Sequence, residues 1–191
     1  MSETVVLSVN EKEEYTLKNW HLFLAITFLF LIIMLINDRF IMTREVYGLL
    51  LSDKIESNRI DDYYELLKRF SVYTYIALPL ITWLKITFIA LLLQTPLMLK
   101  SIDVSFKKTF RIAAFANFSY ILLGFVRIAQ LILIPKSNYS KELLTITPGS
   151  LTNVIPKKSY SLVAYTFLSN INVYEILWIM IVFGGVVKLI K

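Results

Sequence analysis

The chain alternates between long apolar runs, which contain few charges, and more strongly charged connectors. Four runs cover residues 20–36, 70–99, 112–134 and 173–190. A membrane-spanning helix needs about 20 mostly apolar residues, and within lipid only helices and closed barrels satisfy their own backbone hydrogen bonds. The pattern therefore predicts an all-α integral membrane protein, a helical bundle with about four transmembrane helices joined by amphipathic connector helices.

The first run begins at Trp20, an aromatic residue of the kind that anchors helices at the membrane surface. It ends where Asp38 and Arg39 introduce charge. A signal peptide is the competing interpretation, but the preceding segment is acidic and no small-residue cleavage motif follows. We therefore predict a retained span. Residues 1–19 are expected to form a short polar tail, and residues 20–191 a single transmembrane domain.

The second run is longer than a membrane requires. As a helix, residues 70–99 would extend roughly 45 Å, whereas the hydrocarbon core is about 30 Å thick. Tilting or kinking is expected, with Pro79 and Pro96 as the kink points. The third run carries a polar face, and the fourth contains the pair Gly184–Gly185 near its end.

An amphipathic segment precedes the second run. Its apolar residues recur at helical spacing and form one face: Ile60, Tyr63, Tyr64, Leu67 and Phe70. Ser57 is the predicted N-cap. Two interpretations stay open: a helix that docks a partner or the membrane surface, or a connector that rests on the bundle. Residues 143–155 and 161–168 are too short to cross alone and are expected to be interfacial or re-entrant helices, which leaves a fifth crossing open.

The charge of the chain fits a membrane protein better than a nucleic-acid-binding one. Lys and Arg number 20 against 14 Asp and Glu, a net charge of +6. These basic residues concentrate at the ends of apolar runs, as topology and anionic head groups require. The connector 100–111 is short and basic. We therefore expect both termini in the cytoplasm, no nucleic-acid partner, and a location in a bacterial cytoplasmic membrane.

The composition also argues against catalysis and metal binding. The chain has no Cys and a single His, His21. Disulfides, thiolate metal sites, iron–sulfur clusters and His-rich metal sites are thereby excluded. No phosphate-binding loop, zinc-protease motif or nucleophile elbow is present. We predict a protein that is not an enzyme and that uses no metal or cofactor.

A few polar side chains interrupt the predicted spans, and they are the candidate functional residues: Lys85, Asn117, Arg127, Gln130 and Glu175. Charges at bilayer depth are costly, so such groups pair, face the bundle interior or reach toward the surface. Helical rise places Arg127 about 12 Å below the surface at Pro135. This predicts an Arg127–Glu175 pair, with Gln130 one turn away.

Lys85 has three candidate environments: a partner subunit, a water-filled cavity, or Glu175 reached through its long stem. The set as a whole has two interpretations, which stay open. It is either an ion or substrate path, or a buried structural pair accompanied by a snorkelling lysine.

Three stretches resemble the Yip-type domain family, the Ypt-interacting proteins and their bacterial relatives. They are SFKKTFRIAAFANFSYILLGFVRI at 105–128, TPGSL at 147–151 and NVYEILWIMIVFGGVVKLIK at 172–191. The resemblance, over about residues 70–191, implies a small multi-span helical protein; eukaryotic members act with small GTPases in early secretory traffic. The family usually has five spans and a long cytosolic N-terminal region, whereas this chain has four clear spans and lacks the long region. These differences favour a bacterial-type member. The resemblance carries over no catalytic residue.

The sequence thus predicts a scaffold or accessory subunit of a larger membrane complex. Its expected partners are the lipid bilayer and either other membrane subunits or a second copy of the chain. The alternative is a small transporter or channel-like subunit that uses Lys85, Asn117 and Arg127. A hydrated polar cavity around these residues would favour transport, and an apolar groove exposed to another chain would favour the scaffold.

Overall fold

The structure, a computed structural model, describes residues 18–52, 56, 59–140, 143–144, 146–155 and 161–190. Most of the predicted 1–19 tail and the predicted N-cap Ser57 lie outside these residues. Seven α-helices are seen within them: α1 (Asn19–Ile36), α2 (Arg44–Leu51), α3 (Ile60–Leu99), α4 (Phe106–Ala116), α5 (Phe118–Leu133), α6 (Leu162–Asn170) and α7 (Val173–Ile190). A π-helical turn, Asn37–Ile41, extends α1, and 3-10 turns occupy Lys136–Asn138 and Leu151–Asn153.

Four helical segments are long and apolar enough to cross a membrane: Asn19–Ile41, Ile60–Leu99, Phe106–Leu133 and Val173–Ile190. The predicted fold class, an all-α membrane bundle, is confirmed. The fourth span has the predicted bounds, and the first begins one residue early. Helix α6 has nine residues, about 14 Å of rise, which is too short for a crossing. No fifth span is therefore found in the described part of the chain.

The second span differs from its prediction because the amphipathic segment and the apolar run form one helix. Helix α3 contains 40 residues and continues through both Pro79 and Pro96. At 1.5 Å per residue it is about 60 Å long, so it extends beyond the hydrocarbon core. No glycine or other helix-breaking signal separates residues 60–69 from the run that follows.

The third predicted run is instead two helices, which meet at Asn117. The break releases carbonyl groups at the end of α4, and lipid offers them no donor. Local side chains replace the missing donors. Asn117 Nδ2 donates to the carbonyl of Ala113 at 2.8 Å, and Ser119 Oγ donates to that of Ala116 at 2.8 Å. Both polar side chains are buried, and their hydrogen bonds stabilise the break.

Helix α4 is central to the bundle and packs against α1, α3 and α7. Its Ala113, Ala114 and Ala116 are fully buried. Small side chains let neighbouring helix backbones approach closely, as is typical of membrane bundles. Ile26 of α1 and Ile86 of α3 belong to the same core cluster as Ala113 and Ala114.

One end of the bundle is basic. Asn19 Nδ2 donates to the carbonyl of Lys107 at 2.9 Å, which places the start of α1 beside the start of α4. The end of α7 reaches the same level, since Lys188 and Lys108 line one groove. We term this end the basic face, defined by Lys18, Lys100, Lys107, Lys108, Arg111 and Lys188. Because basic connectors stay in the cytoplasm, the expectation that this face is cytoplasmic stands as a prediction.

The first turns of α3 rest on α2. Tyr47 and Tyr64 have ring centroids 5.5 Å apart, and Arg44 forms an ion pair with Asp61. The Arg44 guanidinium donates hydrogen bonds to the Asp61 carboxylate, and this contact raises the pKa of Arg44. The predicted five-residue face is divided: Ile60, Tyr64 and Leu67 are half-buried, whereas Tyr63 and Phe70 are exposed. The contact with α2 supports the interpretation of this segment as a connector resting on the bundle.

Candidate functional site

Three side chains from three helices meet within the bundle. The ammonium nitrogen of Lys85, on α3, lies 3.9 Å from the ring centroid of Tyr120, on α5. The Tyr120 hydroxyl donates a hydrogen bond to Glu175 Oε2, on α7, at 3.0 Å. Lys85 and Glu175 also attract each other electrostatically. We term Lys85, Tyr120 and Glu175 the intramembrane cluster.

The start of α7 fixes the position of Glu175. Asn172 Oδ1 accepts hydrogen bonds from the backbone N–H groups of Tyr174 and Glu175, at 3.0 and 2.9 Å. Asn172 is therefore the N-cap of α7, and the carboxylate lies in the first turn, where the positive end of the helix dipole stabilises it. Glu175, one of the three environments considered for Lys85, lies close enough to attract it electrostatically.

A turn at Pro148–Gly149 supports this cap. Gly149 has a positive φ of 71°, a conformation that glycine adopts without strain. The turn brings Ser150 into an antiparallel bridge with Asn172. The N–H of Leu151 donates to the carbonyl of Ile171 at 3.0 Å. The 147–151 loop thereby positions the cap and, through it, Glu175.

From helical rise we infer that the cluster lies at a depth within the hydrocarbon region. Lys85, Tyr120 and Glu175 each stand about four helical turns, roughly 20 Å, from the end of their spanning segment at the basic face. The hydrocarbon core is about 30 Å thick. Glu175 and Tyr120 are half-buried, but Lys85 is exposed on the flank of the bundle. A charged group therefore lies at membrane depth with part of its surface uncovered by this chain.

Arg127 does not take part in the cluster, and the predicted Arg127–Glu175 pair is wrong. The Arg127 guanidinium donates instead to the backbone carbonyl of Leu144, while Glu175 accepts from Tyr120. The connector after α5 folds back over the end of that helix and brings the Leu144 carbonyl to the guanidinium. Gln130, which was expected one turn from the pair, is exposed.

Tyr139, which the sequence analysis did not single out, holds the same connector against the end of α5. Tyr139 is buried, and its hydroxyl donates to the carbonyl of Leu131 at 2.6 Å. In a continuous helix that carbonyl would accept from the residue four positions later, which is Pro135 and has no N–H. The phenol therefore supplies the missing donor. The sequence signal for this contact is Pro135 at the helix end, followed four residues later by Tyr139.

No protein-family model, curated protein or solved structure matches this chain. The resemblance to the Yip-type family is thus untested and stays a prediction.

We expect Arg127→Leu to lower the yield of folded protein and its melting temperature in detergent. The variant leaves the buried Leu144 carbonyl without its charged donor, and a hydrogen bond to a charged group contributes about 1.5–3 kcal/mol. Gln130→Leu is the matched control, because Gln130 is exposed and lies one turn away. Thermal unfolding monitored by size-exclusion chromatography measures both. Equal melting temperatures for the two variants would contradict the structural role of Arg127.

Proposed function

We propose that this protein is a non-enzymatic scaffold or accessory subunit of a larger membrane protein complex. The observation that carries the proposal is the exposure of Lys85 at membrane depth, beside Tyr120 and Glu175. We further propose that it lies in a bacterial cytoplasmic membrane with its basic face toward the cytoplasm, because basic connectors are retained on that side.

Lipid is a poor environment for the uncovered part of the Lys85 side chain. A lysine near the centre of a spanning helix costs about 2.5–3.5 kcal/mol on insertion scales. The Tyr120 ring and Glu175 offset part of this cost from one side. On the other side, neighbouring positions such as Ile81 and Leu92 are exposed as well. A second protein chain over this flank would replace acyl chains with polar or aromatic contacts.

The bundle is open elsewhere too, which suits a subunit that packs among others. Helix α7 contains no fully buried residue among those described. Its outward positions Ile176, Met180 and Phe183 are more than half exposed. Apolar exposure alone is compatible with lipid, because acyl chains are as apolar as leucine. The exposed charge on α3 therefore argues for a protein partner, and the apolar surface of α7 is consistent with one.

A small transporter or channel-like subunit is the second candidate, and the cluster itself favours it. Ionisable side chains within spanning segments, glutamate among them, mark ion paths and proton relays in pumps and transporters. However, the four described cavities, of about 230 to 550 Å³, are lined by other residues than the cluster, Asn117 and Arg127. Proton flux into vesicles containing the purified protein, lost in Lys85→Met, would favour transport.

Photo-crosslinking in the native membrane tests the subunit proposal. A benzophenone amino acid is placed at Ile81 or Leu92, which helical periodicity puts on the Lys85 flank of α3. Leu80 and Leu91 serve as controls, because they are similarly exposed at similar depth but lie on another flank. We expect adducts of defined protein mass from Ile81 and Leu92 only. Copies with two different tags distinguish a second copy of this chain from another subunit.

Two outcomes would overturn the proposal. Lipid adducts alone at all four positions would mean that no protein covers the Lys85 flank. Protein adducts of equal yield at all four would indicate crowding in the membrane rather than a defined interface.

A further inference from the structure

A groove of about 550 Å³ runs between α4 and α7 at the basic face. Its deeper part is apolar and includes Phe115, Met180 and Ile181. Phe115 and Met180 are exposed, so the groove opens on the outside of the bundle. The volume lies within the range of small-molecule sites, and the position is that of a lipid beside two spanning helices.

The charges of the groove are all of one sign. Lys108, Arg111 and Lys188 line it, and none of its described lining residues is acidic. Arg111 and Lys108 belong to the first turns of α4, and Lys188 to the last turn of α7. The three cations therefore lie near the membrane surface, while Phe115 and Ile181 lie about one to two turns deeper. This polarity matches a phospholipid, whose phosphate lies at the surface and whose acyl chains lie below.

Two adjacent glycines shape the groove in different ways. A Cβ atom at Gly185 would lie 2.7 Å from Ile112 Cγ2, so its absence lets α7 approach α4. A Cβ atom at Gly184 would have nothing within 4 Å. Gly184 therefore leaves open space in the groove and is not needed for the helix contact.

We propose that this groove binds an anionic phospholipid of the surrounding bilayer. The phosphate contacts Lys108, Arg111 and Lys188, and one acyl chain lies along the open surface at Gly184. Charge complementarity argues for this occupant, since basic pockets between spanning helices on the cytoplasmic side bind anionic head groups. The site is separate from the intramembrane cluster; it rests on the proposed orientation of the basic face but not on the proposed partner.

Native mass spectrometry of the purified full chain tests the proposal. Phosphatidylglycerol and phosphatidylcholine with the same acyl chains are titrated separately, and retained lipid is counted. We expect selective retention of phosphatidylglycerol. Each of Lys108→Gln and Lys188→Gln should weaken it about fivefold, the contribution of one basic residue near an anionic surface. Lys100→Gln is the matched control, because Lys100 belongs to the basic face but does not line the groove.

Gly184→Leu provides an independent arm that keeps every charge. It should fill the groove and reduce phosphatidylglycerol retention at an unchanged melting temperature. Equal weakening by Lys100→Gln would mean diffuse attraction to the whole basic face and would overturn the proposal. Retention unaffected by Gly184→Leu would exclude an acyl chain in the groove. Displacement of the lipid by millimolar inorganic phosphate would show a site for the free ion instead.

Discussion

Gly185→Val is expected to separate α7 from α4 and to prevent formation of the folded bundle. A Cβ atom at this position would lie 2.7 Å from Ile112 Cγ2 and 2.8 Å from Ile112 Cγ1. Both atoms are attached to the Cβ of Ile112, so side-chain rotation cannot move both away. Overpacking of this kind costs about 1–3 kcal/mol, and valine adds two further methyl groups. The melting temperature in detergent and the yield of monodisperse protein measure the loss.

Gly184→Val is the matched control, because the open space beside Gly184 accepts a side chain. Both substitutions lower glycine content equally and add the same atoms, so only the contact with Ile112 distinguishes them. Ile112→Ala should partly rescue Gly185→Ala. The chain has no native cysteine, so a disulfide between cysteines introduced on facing positions of α4 and α7 reports their separation directly. Equal stability of the two valine variants would refute this close approach.

The spans were predictable because apolar runs bounded by charge leave few alternatives in a membrane. Helix α7 has the predicted bounds, and α1 differs by one residue. The fusion of the amphipathic segment into α3 was not anticipated. A change from amphipathic to uniformly apolar character indicates a change of environment, from surface to lipid, and does not require the helix to end.

The break at Asn117 could not be read from the sequence, since neither proline nor glycine marks it. It persists because Asn117 and Ser119 satisfy the carbonyls it releases. The sequence marks Asn117 as unusual, because it is a polar residue within an apolar run. Its role at the break depends on backbone geometry, which residue spacing does not reveal.

Two of the three residues of the intramembrane cluster could be predicted from the sequence, and the third could not. Lys85 and Glu175 stand out in the sequence because charge is rare in apolar runs. Tyr120 was missed, since the chain contains 11 tyrosines and nothing in their spacing singles out the one between the two charges. The partner of Arg127 is a backbone carbonyl in a connector, and which carbonyl it is depends on how that connector folds.

Charge reversal in the intramembrane cluster should have the largest effect of any single change at this site. Lys85→Glu would place a second carboxylate across Tyr120 from Glu175, where the lysine now provides the opposite charge. The present charges attract each other, whereas two carboxylates in this poorly solvated environment would repel each other. We expect little folded Lys85→Glu protein, measured as the monodisperse fraction after detergent extraction.

Lys85→Glu combined with Glu175→Lys tests whether the two charges act on each other. The double variant restores opposite charges on the same helices, so it should recover much of the yield that Lys85→Glu loses. Recovery should be incomplete, because a lysine in the first turn of α7 opposes the helix dipole at a cost of about 0.3–1 kcal/mol. If Lys85 and Glu175 were independent, the losses of the single variants would add, and a double variant less stable than either would show that the cluster is not an interacting unit.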